Sequence, residues 1–503
     1  MEYSEQHLQN LLKDLYGGDN RLEIYDISRF YDNVVINGNY RPVIGEDETR
    51  LTTFLGFVVI RRPVLITSGA GGGKTVIMDA TSELIPETKR TIIAMGSKKA
   101  IWGSIKDLQK HEFVILPEFQ KASANVDAID MLEVLKDWGE GKTARYNRMD
   151  ITKGKETEVV LLPPRPFMTS LATENEHGKI GPELGRRVIE VHTNCTKEQT
   201  EKVIESKLLR EALPHKTKSL KDVEYQLIKL HVKNVIEEVG TGPFIINPMA
   251  MELTRVVPTI YKEARSVIDY LIDMIKACTM FYFYDRPNYY DGETKVYFST
   301  PADNWIAWKI YGRQFVESCL KIPQYGLSIL TLLPQIAGRP SYSSTKDPDE
   351  ILAGLLHMGI TMTKADLKKV LGTLVMNSYL SEMPGEKKTD PIRYYRGALS
   401  ANYDNPLDWN EVIEKTLTLI KEEYPSIEEE YLKHCGIVKD NVRRLEIVDP
   451  IAGNIIDILA PNVPIETKPD HIDLISSRVG EIDLQISYDT QDDVPFEAYI
   501  EGN

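Results

Sequence analysis

The chain has 503 residues, 42% hydrophobic and 27% charged, with 32 Gly and 27 Pro. That is length for about three or four domain-sized units, and it excludes a collagenous, wholly disordered or disulfide-scaffold chain. The net charge of −15 is local: residues 401–503 carry 23 acidic against 8 basic side chains, so residues 1–400 are balanced and nothing in the acidity argues against nucleic-acid binding by that body. No run of about 18 apolar residues exists to cross a bilayer, since the best stretch, 270–284, is interrupted by Asp273 and Lys276. The opening MEYSEQHLQN lacks the apolar core of a signal peptide. Cys195, Cys278, Cys319 and Cys435 stand far apart without a CxxC, and the nine histidines show no metal-ligand spacing. A reducing, cytoplasmic location without a zinc module or membrane contact is expected.

In chain order, residues 1–50 read as a polar preamble. From about 51 to 194, β-branched runs alternate with helical patterns, which is the text of a βαβ sheet domain. Strands are expected at 63–68, 90–96, 112–117, 166–172 and 186–192. Directly after the first comes SGAGGGKT, residues 68–75, and then a helical stretch. A glycine-rich turn in this strand–loop–helix setting lets backbone N–H groups point inward around phosphates. Ser68, Gly69, Ala70, Gly71, Gly72, Gly73, Lys74, Thr75 and Val76 form the candidate ATP site, with Lys74 reaching the β/γ-phosphates and the Thr75 hydroxyl holding Mg²⁺. Ser68 stands where the pattern GxxxxGK[ST] asks for glycine, and the glycines that follow supply the freedom it lacks.

The third strand, within FVILPEF (113–119), places Glu118 where such ATPases keep the carboxylate that polarises the attacking water. Pro117 occupies the position of the usual Mg²⁺-associated Asp. Three consequences stay open: Glu118 serves both roles, hydrolysis is slow, or the site binds without turnover. A helix over 127–150 and a polar hairpin over 151–163 are expected next, with Lys153 and Lys155 near its tip. Residues 195–310 are nearly all helical in pattern. The aromatics Phe281, Tyr282, Phe283 and Tyr284 end an apolar helix and are read as core rather than as base-stacking groups.

Between residues 51 and 310 the order of these elements resembles AAA+ ATPases, most closely the ring helicases of the minichromosome-maintenance kind and related mobile-element replication ATPases. The resemblance implies an α/β core with a parallel sheet over 51–217 and a helical lid over 218–315. It implies that the hairpin projects into a central channel, where Lys153 and Lys155 grip DNA. Thr173 or Asn175, in PFMTSLATEN, takes the place of the polar sensor at the γ-phosphate. In GPELGRRVIEV, Arg187 aligns best with the arginine finger and Arg186 is its rival, while Arg265 falls at the second sensor. No N-terminal DNA-binding and zinc domain precedes the loop, and residues 97–110 are too short for the further hairpin of those helicases. A compact, viral or plasmid relative is therefore expected.

Residues 316–400 hold helical patterns and then a strand–turn–strand. Thr363 with Asp366 resembles a capping box, and Leu367, Val370, Leu371 and Leu374 make a helical core stripe. This is a winged-helix-like α+β pattern, with Lys364, Lys368 and Lys369 on the polar side of the helix and Lys387, Lys388, Arg393 and Arg396 along the wing. A protein-contact or autoinhibitory use of the same module stays open. The acidic segment 401–503 is expected as a solvated small domain or loose tail, with a partner-binding role as the alternative.

The expectation is thus an ATP- and Mg²⁺-dependent DNA helicase or translocase acting in DNA replication as a homo-oligomeric ring. The rivals are a nucleotide-gated DNA-binding regulator and a protein remodeller.

Overall fold

The computed structural model describes residues 4–16, 21–68, 71–93, 105–117, 129–150, 156–172, 182–194, 196–213, 220–259, 261–336, 340–385, 387, 390–396, 407–439 and 442–460. The segment expected as a polar preamble is instead structural. Helix α1 (Glu5–Tyr16) buries Leu8, Leu11, Leu12 and Leu15, spaced i, i+3, i+4, i+7 on one face. Helix α2 (Ile24–Asp32) is closed by a capping box between Glu23 and Asp26. Helix α3 (Asp47–Thr53) runs on into a buried π-helical turn, Phe54–Val59. Arg50 is buried at the start of this run and paired to Asp32 at 2.6 Å and Asp47 at 2.5 Å.

The sheet follows. Strand β1 (Val64–Ser68) leads through the glycine loop into α4 (Lys74–Glu83), and β2 (Arg90–Ile92), α5 (Ile105–Lys110) and β3 (Phe113–Leu116) come next. Helix α6 (Ile129–Gly139) precedes an antiparallel hairpin of β4 (Ala144–Asp150) and β5 (Glu156–Leu162). Strands β6 (Phe167–Ala172) and β7 (Ile189–His192) complete a five-stranded sheet of order β2-β3-β6-β1-β7. All its pairings are parallel. Strands β1 and β3 are buried along their whole length, as a sheet covered on both faces requires. The chain leaves β1 toward one edge and returns past it to the other, so the crevice above the carboxyl end of β1 is the switch point where α/β sheets bind ligands. The helix expected over 127–150 thus stops at Gly139, and Gly141, at φ 69°, turns the chain into β4. The hairpin begins at Ala144 rather than 151, with Arg145, Tyr146 and Arg148 on its first strand.

Helix α7 (Lys197–Ala212) leaves the sheet, and α8 (Asp222–Gly240), β8 (Phe244–Ile246) and α9 (Ala264–Phe281) follow. Strands β9 (Asn288–Asp291) and β10 (Thr294–Phe298) join β8 in a three-stranded mixed sheet, and α10 (Pro301–Leu320) packs along α9. Phe281 and Tyr282 are buried, and Tyr284 stacks on Tyr16 with ring centroids 3.8 Å apart, so these aromatics are core. A bidentate pair, Arg286 with Asp303, is fully buried between the small sheet and the start of α10.

Helices α11 (Gly326–Leu332), α12 (Pro348–His357) and α13 (Lys364–Met376) and the hairpin of β11 (Leu380–Met383) with β12 (Arg393–Arg396) form the next unit. The Thr363 hydroxyl accepts from the Asp366 N–H at 3.1 Å, and Leu367, Leu371 and Leu374 are buried. Helix α14 (Trp409–Glu423) buries Val412, Ile413, Thr416 and Ile420. The Tyr431 hydroxyl, also buried, donates to the Ser299 carbonyl at 3.0 Å. Residues 407–439 and 442–460 are therefore a packed part of the body, not a loose tail; residues 401–406, 440–441 and 461–503 lie outside the described residues.

Candidate nucleotide site

The loop residues Gly71, Gly72 and Gly73 meet two different constraints. Gly71 and Gly73 have φ of 78° and 81°, in the left-handed region that side chains disfavour. A Cβ on Gly72 would fall 1.7 Å from the Ser68 Oγ and 2.9 Å from the Thr193 Oγ1. The serine in place of glycine at 68 is thus accommodated by the missing side chain at 72. Gly73 caps α4 and, being glycine, offers no side-chain cap of its own, so the start of the helix follows directly on the loop. Oriented N–H groups at a helix start, in a turn open enough for backbone approach, suit a polyphosphate. Lys74 begins the helix and its Nζ donates to the Ser68 carbonyl at 3.0 Å, within the turn it would leave for a phosphate oxygen. Thr75 is exposed at the second helical position and Val76 packs partly against the core. Gly69 and Ala70 lie outside the described residues.

Strand β6 lies between β1 and β3, and the Thr169 hydroxyl donates to the Leu116 carbonyl at 2.8 Å. The carboxyl ends of β6 and β3 therefore lie at the same end of the sheet as that of β1. Glu118, Thr173 and Asn175 come after these two strands in the sequence and lie outside the described residues, as do Lys153 and Lys155 between β4 and β5. Pro117 is described and continues from β3 without a carboxylate. Loop and Thr75 fit Mg²⁺ with ATP, and no cluster of three or more His, Cys, Asp or Glu occurs among the described residues to hold a metal without it.

Sequence reasoning missed the wall beside the loop. Thr193 follows β7, is fully buried, and its N–H donates to the Thr67 carbonyl at 3.1 Å. Beyond it opens a cleft of about 450 Å³ lined in part by Glu46, Asn194, Gln199, Glu317 and Tyr325. Both Glu46 carboxylate oxygens accept from the Asn194 N–H, at 2.9 and 2.8 Å. Burial nevertheless pushes Glu46 up to about 7, and burial does the same for Glu317, also to about 7. The positive φ of Glu46, 59°, is the feature a sequence does not announce.

The two neighbouring arginines before β7 diverge. Arg187 is turned inward, ion-paired with Glu140 and donating to the Lys136 carbonyl at 3.2 Å. Arg186 is exposed and lines a cleft of about 450 Å³ together with Arg265, Lys262 and Glu190. Helix α9 is fixed there by the Tyr270 hydroxyl, which donates to the Arg186 carbonyl at 2.5 Å. Val64, the first residue of β1, pairs with Ile189, so Arg186 sits at the end of the sheet opposite the loop. Five strand residues separate the ends, roughly 16 Å. Arg186 and Arg265 therefore share one exposed surface, and it is not the surface of their own phosphate loop.

Of the basic residues expected on DNA, Lys368 and Lys369 are exposed on α13, with Lys369 3.3 Å from Asp366, and Lys364 is paired to Asp349 at 2.7 Å. Lys387 is exposed, and Lys388 lies outside the described residues. Arg393 is a correction: it is buried, bonded to Asp347, Glu350 and Thr345 and stacked 4.2 Å from the Tyr342 ring, so it holds the hairpin to α12 instead of facing a backbone. No helix among the described residues is long and apolar enough to cross a membrane.

No protein-family model matches this chain, and no curated protein matches it.

Proposed function

We propose that this chain is an AAA+-type ATPase that assembles through shared nucleotide sites and couples ATP hydrolysis to movement on DNA, as a replication helicase or translocase. One observation carries the proposal: a phosphate loop at one end of the sheet, and an exposed pair, Arg186 with Arg265, at the other. Cations that cannot reach their own loop are placed to reach a neighbour's. In such an assembly the loop N–H groups and Lys74 would bind the phosphates and Thr75 would hold Mg²⁺, which would supply neutralising charge at the phosphate oxygens. Arg186 of the adjoining copy stabilises the charge that develops on the transferring group. Arg187, engaged with Glu140, becomes a strut that ties the foot of the β4–β5 hairpin to the turn before β7 that carries Arg186. Loss of the γ-phosphate at the interface then has a path to the hairpin, an element that changes arrangement with the interface.

A second reading keeps support from Pro117 and from the exposed lysines of α13: a slowly hydrolysing regulator that binds DNA through that helix. ATP turnover with and without single-stranded DNA separates the readings. The proposal expects strong stimulation, abolished by Lys74→Ala. Weak stimulation together with DNA binding that fails in Lys368→Ala/Lys369→Ala but survives in Lys153→Ala/Lys155→Ala supports the regulator. Turnover that DNA does not change contradicts both and leaves a protein remodeller.

A further inference from the structure

The foot of the β4–β5 hairpin holds a cleft of about 480 Å³ that the nucleotide site does not use. Arg61, Arg62, Arg165 and Lys276 line it, against two carboxylates among its lining residues, Glu112 and Asp273. Both carboxylates are committed. Asp273 holds Arg62 at 2.6 Å, while Glu112 is shared by Arg61 at 3.1 Å and Lys89 at 3.0 Å. Arg165 has no carboxylate within ion-pairing distance among the described residues, and its Nη2 donates to the Gln109 carbonyl at 3.1 Å. The Nε atoms of Arg61 and Arg165 are shut from solvent with no acceptor among the described residues. Arg61 also adopts φ 58°, a backbone state that a non-glycine residue holds at a cost where its surroundings impose it. Burial pushes the Arg61 guanidinium below its ordinary range, against the opposing pull of Glu112 and with help from the nearby charge of Arg165.

Arg61 also donates to the Ile236 carbonyl at 2.9 Å, and among the described residues Glu112 is the carboxylate these two guanidinium groups have between them. An excess of guanidinium charge and donors on one cleft suits an anion with several oxygens in a small volume, which a phosphate supplies and a lone carboxylate supplies less well. On the rim stands Phe244, a large ring left 60% exposed. A cationic cleft beside an exposed aromatic is the pairing that holds a single strand, phosphate in the cleft and base on the ring. We propose that this cleft binds a backbone phosphate of single-stranded nucleic acid at the foot of the hairpin, with Phe244 stacking the adjacent base. The inference rests on the DNA-translocase reading for its occupant and on the arginine geometry for its chemistry. It adds a fixed contact below the hairpin tip, so that a strand is held at two heights.

The test measures oligo-dT affinity at about 50 and 200 mM salt for wild type, Arg165→Gln, Arg165→Lys and Phe244→Ala, with ATP affinity recorded alongside. Arg165→Gln is expected to bind roughly tenfold more weakly at low salt, with the salt slope reduced by about 0.7, the share of one phosphate contact on a single strand. Arg165→Lys should recover most of that slope, and Phe244→Ala should lose affinity with the slope intact. ATP affinity should not move in any of them. Wild-type affinity and slope in both Arg165→Gln and Phe244→Ala would overturn the proposal. If wild type binds no oligo-dT, the translocase reading fails separately, and thermal stabilisation by inorganic phosphate decides the cleft: loss of it in Arg165→Gln keeps a phosphate site, and equal stabilisation removes it.

Discussion

Ser68 and Gly72 constrain one another at the mouth of the loop. With 1.7 Å between the Ser68 Oγ and the place of a Cβ at 72, Gly72→Ala forces the loop apart. Overpacking of this kind costs about 1–3 kcal/mol, and it lands on the N–H groups that would face phosphate. ATP affinity should fall sharply in Gly72→Ala and recover in part when Ser68→Gly is added. Unaltered affinity in the single variant would show that the turn is not as crowded as described. The carboxylates of the neighbouring cleft give a second test. Glu46, raised from 4.5 to about 7, keeps its proton when folded across a range where the unfolded chain has released it, so its contribution is present at low pH and lost as pH climbs from about 4.5 to about 7. His231 and His434, lowered by burial to about 3 and about 4, act in the opposite direction below about 6.5. The clean readout is therefore a difference: the stability of Glu46→Gln relative to wild type, from denaturant unfolding, should improve between pH 5 and pH 8. A constant difference would refute the half-buried, protonated Glu46.

Helix α1 is the element whose role departs furthest from its sequence context. Leu12 is 1% exposed, so Leu12→Ala should cost about 2–5 kcal/mol of unfolding free energy, whereas a solvated preamble would lose almost nothing. The leucine stripe is written in the sequence, but the polar residues around it disguise it; the same holds for Val412, Ile413 and Ile420 among the acids of α14. The loop is legible because each of its residue types answers a local backbone demand. The parallel sheet is legible for the same reason: its five strands read as β-branched runs between turn residues. The boundary at Gly139 is harder, because helical and alternating patterns overlap across GEGKTARYNRMD and only pairing with 156–162 decides the matter. The assignment between Arg186 and Arg187 is harder still. Two adjacent arginines have the same local text, and the choice is made by a tertiary partner, Glu140, 46 and 47 residues away in the chain.

On the scale of the whole molecule, the sheet separates the glycine loop from the exposed arginines. The loop lies at the carboxyl end of β1, and Arg186 and Arg265 lie at the amino end of β7 on an exposed edge. On the proposed reading, such a chain would be incomplete as a catalyst until a second copy met it, and Arg187, paired with Glu140, ties the hairpin foot to the end of the sheet that carries the exposed arginines. The most direct test is ATP hydrolysis by mixtures of Lys74→Ala and Arg186→Ala chains at constant total concentration. Each variant alone should be inactive, Arg186→Ala with ATP binding intact and turnover lowered roughly 10³-fold or more. Activity should rise to a maximum near equal proportions, where interfaces with an intact loop and an intact arginine are most frequent. A flat, inactive profile across all proportions, or full activity of Arg186→Ala alone, would contradict the shared site.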